Sequence, residues 1–503
     1  MKRLMLLLLI AVCFASCNVN DPLVVRVEGG LIEGYADRDL NIYKGIPFAA
    51  PPVGKLRWKA PQPVIPWNGV RPAKKFAASP IQADTTLTMS EDCLYLNVWT
   101  PTKSSDDALP VMVWIYGGGF SFGSTSYPYS DGAELARKGV VVVSIAYRVG
   151  YLGFLAHPEL SAENNNGVSG NYGLLDQIAA LHWVKHNIAA FGGDPSNVTV
   201  FGQSAGGISV SMLCASPLAK GLFQRAISQS GGSFGPCRGD SYPGENMKTL
   251  EMAESDGVRY AEGLGARTLT ELRSLPDSFF ARPYNATGGA WPIVDGYVIP
   301  DDQYRLYESR QYNNVDILIG YNSDEGEAFT PRDSLTHIQN VGKRFGNFAP
   351  RLLKAYPVTA NPVPKSGRNL LRDASFGWHT WTWGRLQAQT GHSDVYLYYF
   401  DRNQHNPDSD LGSVHGQEVG YVFQHTEDSL PGDQELKRQI GEYWTNFART
   451  GNPNGENLPE WPKFTTKDHR VMHLTNDGSY AGSVPDECSL QILDDYFSSR
   501  RMK

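Results

Sequence analysis

Residues 197–210 read NVTVFGQSAGGISV. Val198, Val200 and their neighbours predict a short β-branched strand, and Ile208 to Leu213 predicts the opening of a helix. Between them, Gly202-Gln203-Ser204-Ala205-Gly206 matches the pattern G-x-S-x-G. In so tight a strand-to-helix turn, side chains at the flanking positions would collide with neighbouring backbone. Glycine removes the clash and tolerates the dihedrals that push the serine oxygen into the open. An ordinary glycine-rich turn can match the same five positions, so the rest of the chain has to decide what this one is.

Outward from that turn the chain alternates. LYLNVWTP, VMVWIYGG and GVVVVSIAYR predict strands before it, with a short helical segment, YSDGAELARKG, between the last two. LLDQIAALHWVKHNIAAFGG predicts an amphipathic helix that stops at glycine. After the serine turn, FQRAISQSG, VDILIGYN and DVYLYYF predict further strands. Upstream, LVVRVEGGLIEGYA predicts a hairpin, and the proline-rich stretch 46–67 predicts irregular chain, because proline deletes backbone donors. Strands alternating with helices indicate an α/β fold with a mostly parallel, doubly wound sheet. Two long excursions, residues 242–300 and 330–389, fall between strands and are expected over the strand C-terminal ends, where such sheets bind ligands.

Composition narrows the function. A formal charge of −7 offers no clustered basic footprint for nucleic acid. The 51 glycines and 32 prolines among 503 residues fit a globular fold with many turns. The first 17 residues, MKRLMLLLLIAVCFASC, differ: Lys2 and Arg3, an apolar run from Leu4 to Val12, then small residues. This reads as an export signal over residues 1–16, too short for a membrane span. Phe14-Ala15-Ser16-Cys17 resembles a bacterial lipobox, in which the cysteine is lipidated and becomes the mature N-terminus. Phe14 stands where Leu is usual, and ordinary cleavage after Ala15 is the alternative. The expected product is one exported domain over residues 17–503, tethered at periplasmic or cell-surface membrane through Cys17 or else secreted. Four cysteines remain, Cys93, Cys214, Cys237 and Cys488, whose spacing fits no zinc motif and allows three complete disulfide pairings.

The blocks YKGIPFAAPPVGKLRW, SEDCLYLNVWTP, VWIYGGGF, AYRVGYLGFL, GNYGLLDQ, HWVKHNIAAFGGDPSNVTVFGQSAGG, ISQSG, GYNSDEG, HGQEVGYVF and FARTGNPN run from Tyr43 to Asn454. Together they resemble the type-B carboxylesterase family, the cholinesterase-like branch of the α/β-hydrolases. The resemblance implies an α/β-hydrolase fold, a small-molecule ester substrate, no cofactor and hydrolysis through a Ser–Glu–His triad. Residue by residue it implies Ser204 as nucleophile, Glu325 in SDEG as acid and His415 in HGQE as base. The order Ser, acid, His is the one this fold uses. A serine hydroxyl is a weak nucleophile until an imidazole accepts its proton, and the imidazole needs a carboxylate to fix its tautomer. The resemblance also implies an oxyanion site from the N–H groups of Gly118, Gly119 and Ala205. The family usually pairs the cysteine of EDCLYLN with one upstream; none lies between Cys17 and Cys93 here, so Cys93 is expected to be a buried free thiol.

Other signals carry less. His182 and His186 lie one helical turn apart, but Trp183 stands where a zinc protease would need Glu and no third ligand is evident, so no metal is expected. Trp291 falls where the family's acyl pocket lies and Trp378 near its substrate gorge, each with core packing as the alternative. His157 and His425 read as ordinary residues. The rival to an esterase is a non-catalytic binding protein on the same fold. Such relatives typically lose a triad member, whereas Ser204, Glu325 and His415 are all present.

Overall fold

The computed structural model describes residues 22–102, 104–282, 289–427 and 429–501. Cys17 and the export signal expected over residues 1–16 lie outside the described residues. The main sheet has eleven strands: β1 Tyr35–Asp37, β2 Leu40–Pro47, β3 Tyr95–Thr100, β4 Leu109–Ile115, β5 Val141–Ile145, β6 Gly193–Gln203, β7 Arg225–Gln229, β8 Asp316–Asn322, β9 Val395–Phe400, β10 Val471–Leu474 and β11 Tyr480–Gly482. Their spatial order is β11-β10-β9-β8-β7-β6-β4-β5-β3-β2-β1. The seven from β5 to β10 run parallel, and antiparallel strands finish both sides. Strands covered on both faces read as unbroken apolar runs, and β4, β5 and β9 are buried almost throughout. A separate three-stranded sheet joins the expected hairpin, Val24–Val27 with Gly30–Glu33, to Val70–Pro72.

Chain order and spatial order part company at β4. The chain lays β5 on one side of β4, then returns to lay β6 on the other. At such a switch point the connections leave in opposite directions and open a crevice beyond the strand C-termini. In register, Ile115 of β4 lies opposite Gly202 of β6. The glycine turn after β4 and the serine turn after β6 therefore emerge side by side.

The helix at Tyr172–Asn187 forms where expected but is not two-faced: only His182, Lys185 and His186 are exposed. It is packed against β6 and the helices Gly150–Phe154 and Ala205–Ala215, which leaves little of it to solvent. The buried Arg148–Asp176 pair, with Nε and Nη2 donating to the carboxylate at 2.8 and 2.7 Å, ties this helix to the end of β5. All four described cysteines are free, and burial pushes the Cys93 thiol up. The loop before β3 is clamped instead by Arg57, which chelates Glu91 and donates to the carbonyls of Arg273 and Leu275.

The first excursion holds the helices Leu250–Gly263 and Leu269–Ser274; the second is mostly helix, from Ser334–Phe345 to Trp378–Thr390. Among the described residues no helix is long and apolar enough to cross a membrane.

Candidate active site

Ser204 stands between β6 and the helix Ala205–Ala215 at φ 56°, ψ −125°, a conformation rare for any residue with a side chain. Neighbours over-determine it: its N–H donates to the Gln229 carbonyl at 2.9 Å, and its own carbonyl accepts from Ile208 at 2.8 Å. The glycines around it are required by close approach. A Cβ on Gly206 would sit 2.0 Å from the Ile115 carbonyl oxygen, and one on Gly202 would sit 2.6 Å from Gly206 backbone. The helix can thus seat against β4, with the serine lifted at the turn.

After β4, residues 117–120 form a tight turn. Gly118 has φ 110°, and a Cβ there would lie 2.1 Å from the Phe122 carbonyl oxygen. Gly119 follows at φ 56°. The Gly118 carbonyl accepts from the N–H groups of Ser121 and Phe122, which closes the turn. Ala205 opens its helix, so its N–H belongs to the first turn, which has no intrahelical partner. Gly118, Gly119 and Ser204 border one cleft because β4 and β6 are neighbours.

Glu325 follows β8, and His415 lies in the loop after β9. His415 Nδ1 makes a short hydrogen bond to Glu325 Oε2. The other oxygen, Oε1, accepts from Ser230 Oγ at 2.5 Å and from the Asn322 N–H at 2.7 Å. Glu325 is wholly buried, whereas the His415 side chain remains 20% exposed. Its Nε2 faces the Gln203 amide nitrogen at 3.3 Å, beside Ser204, and Phe376 of the second excursion stacks on its ring. Burial works against the imidazolium, but the Glu325 charge, its hydrogen bond and the nearby Glu418 charge outweigh it and hold His415 above its ordinary value.

The NSDE turn binds the histidine loop through every side chain. Asn322 donates to the Val414 carbonyl at 2.8 Å, and Ser323 Oγ accepts from Ser413 N–H at 2.8 Å. Asp324, wholly buried, accepts from Arg368 at 2.6 and 3.0 Å and from Gly412 N–H. The two adjacent carboxylates therefore diverge: Glu325 faces His415 and Asp324 faces Arg368.

Sequence reasoning missed Glu418. It is buried behind Glu325, accepting from Gln229 at 3.1 Å and Asn322 at 2.5 Å, and burial together with the Glu325 charge raises its pKa. Its only mark in the sequence is the last letter of HGQE. Because its charge helps hold His415 protonated, Glu418→Gln should move the acidic limb of the kcat/KM profile to lower pH. A pH–rate profile of the folded variant checks the direction; an unmoved or upward-shifted limb contradicts it.

Ser204, His415, Gly118 and Gly119 line one cleft of about 400 Å³, together with Trp114, Phe122, Tyr127, Tyr129, Gln203, Phe329 and Val419. Trp291 and Trp378 are not among its lining residues. Trp378 is fully buried, stacked 3.9 Å from Phe497 with its indole N–H donating to Asp494, so packing accounts for it. Trp291 lies edge-on to Phe120 and borders a separate cavity with Tyr151 and Phe154. His182 and His186 have ring centres 6.3 Å apart, and His186 pairs with Glu28. His425 Nε2 bonds the Asp131 carbonyl oxygen, and His157 caps the helix Pro158–Ala162.

A serine turn at a switch point, a glycine turn from the adjacent strand, and a carboxylate and histidine from strands farther along the same parallel edge define an α/β-hydrolase. Solved structures agree. A PNB esterase superposes with a TM-score of 0.80 at 31% identity, covering 94% of this chain and 100% of that one. A carboxylesterase from Geobacillus stearothermophilus gives 0.81 at 33% identity, covering 93% and 99%. The fumonisin B1 esterase of Sphingopyxis macrogoltabida is 36% identical over 93% of this chain and 89% of its own length. The para-nitrobenzyl esterase of Bacillus subtilis is 33% identical over 90% and 95%. The profile of the Carboxylesterase family matches residues 21–491, and the chain belongs to that family. It is a carboxylic-ester hydrolase.

Proposed function

We propose that the chain cleaves esters through an acyl-serine intermediate on Ser204. The observation carrying this reading is the single cleft in which His415, tied to Glu325 through Nδ1, turns Nε2 toward the Ser204 turn. Ser204 Oγ attacks the ester carbonyl carbon while His415 Nε2 accepts its proton. Gln203, whose amide donates to that nitrogen at rest, gives up the bond as the serine proton arrives. The carbonyl oxygen, now carrying the negative charge, sits against the N–H groups of Gly118, Gly119 and Ala205, where one donor can contribute roughly 10²–10³ in rate. His415 then protonates the leaving oxygen, the C–O bond breaks and the alcohol departs. Water, deprotonated by the same histidine, hydrolyses the acyl-enzyme and restores Ser204. Glu325 keeps its charge throughout and stabilises the imidazolium.

The cleft lining includes no Lys, Arg, Asp or Glu among the described residues, which favours an uncharged ester at the reacting centre. Relatives named for fumonisin B1 and para-nitrobenzyl esters mark the range of substrates the fold serves. The intermediate is testable by partitioning. Two esters sharing an acyl group, hydrolysed with added methanol, should give one ratio of methyl ester to acid, because both pass through the same acyl-Ser204. Different ratios would rule out a common intermediate.

The same proposal covers the N-terminus, where the support is sequence alone. Residues 1–16 direct export, residues 17–503 form the mature hydrolase domain, and a lipid on Cys17 anchors it. The native protein should partition into detergent, and Cys17→Ala should release it or block processing, with catalysis unchanged. Mass spectrometry finding an unmodified start at Ser16 would overturn the anchor.

A further inference from the structure

The glycine turn after β4 is held at its far end by a side chain that the proposed chemistry does not use. Gly123 is buried, and Gln82 takes both of its backbone polar groups. The Gly123 N–H donates to Gln82 Oε1 at 2.9 Å, and its carbonyl accepts from Gln82 Nε2 at 2.9 Å. Nε2 also donates to the Pro80 carbonyl at 3.0 Å. With two carbonyls on one side and an N–H on the other, the amide has a single satisfied orientation. Gln82 itself is 1% exposed and comes from 41 positions upstream.

Packing makes Gly123 a fixed point. Its φ is 143°, and a Cβ there would lie 2.2 Å from the Tyr116 ring and 2.8 Å from the Gly117 carbonyl oxygen. The two ends of the turn therefore meet, one carried by β4 and the other by Gln82. Between them the Phe120 carbonyl accepts from the Gly150 N–H at 2.6 Å. The loop that brings Gln82 is seated as well. Ser79 N–H donates to the Thr88 carbonyl at 2.9 Å, and Ser79 Oγ meets Ser124 Oγ at 2.7 Å. Cys93 is a free thiol, so side-chain hydrogen bonds rather than a disulfide fasten this loop against the turn.

We infer that Gln82 is a positioning residue for ester hydrolysis: it fixes Gly123 and, through it, the place of the Gly118 and Gly119 N–H groups. This rests on the reading of those groups as the oxyanion donors. Donors that wait in position stabilise the oxyanion without reorganisation, and a displacement on the order of 1 Å can cost about 10² in rate. Acylation and deacylation each pass through an oxyanion. Loosening the turn therefore slows both, which lowers kcat and leaves KM nearly where it was.

Gln82→Met keeps the length and bulk of the side chain but removes both bonds to Gly123. Its kcat for para-nitrophenyl butyrate, per site counted by complete fluorophosphonate labelling, should fall about tenfold to hundredfold, with KM within about twofold. Trifluoroacetophenone gives a second readout. Ser204 Oγ adds to its carbonyl carbon, His415 takes the serine proton, and the carbonyl electron pair becomes an oxyanion. The inhibition constant should rise by the factor that kcat/KM falls. Ser79→Ala, which loosens the same loop without touching Gly123, should keep both within about twofold. Gln82→Asn, with an amide too short to reach Gly123, carries the same test if the Met variant does not fold. Unchanged per-site kcat and inhibition constant in a folded Gln82 variant overturn the proposal. So does an equal loss in Ser79→Ala, which would make the effect a general loosening of the loop. Failure of the oxyanion reading would show separately, as a wild-type enzyme that the ketone does not inhibit, and would take the proposal with it.

Discussion

Ser204→Ala should lower kcat by roughly 10⁴–10⁶, the range seen when a serine hydrolase loses its nucleophile, while the protein stays folded. The loss follows from chemistry: Ser204 is the only serine or threonine among the described residues that line the cleft with His415. The intact fold follows from geometry. The strained φ of 56° is imposed by the backbone bonds to Gln229 and Ile208 and by the glycines that let the helix approach β4. Alanine keeps all of these and adds no atom. An ester assay paired with a thermal melt tests both halves. Substantial turnover in the folded variant would remove Ser204 from the mechanism.

The next largest effect separates two neighbouring carboxylates. Glu325→Gln preserves shape and burial but replaces the acceptor of the His415 Nδ1–H and removes the charge that stabilises the imidazolium. A drop in kcat of about 10⁴ is expected, by the logic of triads that lose their carboxylate charge. Asp324→Asn should fail differently. Asp324 is wholly buried and holds Arg368, itself mostly buried, so the variant leaves a guanidinium without its principal counter-charge. Breaking such a pair costs on the order of 3 kcal/mol of stability, with kcat of the folded fraction largely retained. Melting curves and kcat at a temperature where both variants are folded make the comparison. A stable but inactive Asp324 variant beside an active Glu325 variant would reverse the assignment.

The His415 pKa, held above the ordinary imidazole value of about 6.5 by Glu325 and Glu418, sets the sign of the pH dependence. The base must be neutral to accept the serine proton, so kcat/KM should rise with pH through a midpoint above that value. The Glu418→Gln shift is measured against this limb.

What the sequence made legible was local. The strand–turn–helix of residues 197–210 is written in adjacent residues: β-branched alternation, then glycines where backbone must meet backbone. Glu325 and His415 are singled out by what the resemblance of SDEG and HGQE implies; that both lie at one edge is legible because each follows an apolar strand and parallel strands end on one edge. Partners brought in from far along the chain were not legible. Glu418 meets Gln229 across 189 positions, and Asp324 meets Arg368 across 44. Nothing near Asp324 in the sequence announces its buried pair with Arg368. The helix Tyr172–Asn187 looked two-faced because periodicity reports one apolar stripe, while neighbouring elements cover the remaining faces as well.

The central claim is that one serine, set by one turn, carries the reaction. Its most direct measurement is peptide mapping of the protein after a fluorophosphonate has reacted with it at neutral pH. The expected result is one adduct per chain, on Ser204, with complete loss of ester hydrolysis and no adduct in Ser204→Ala. An adduct on any other residue that tracks the loss of activity, or full activity with Ser204 occupied, would contradict it.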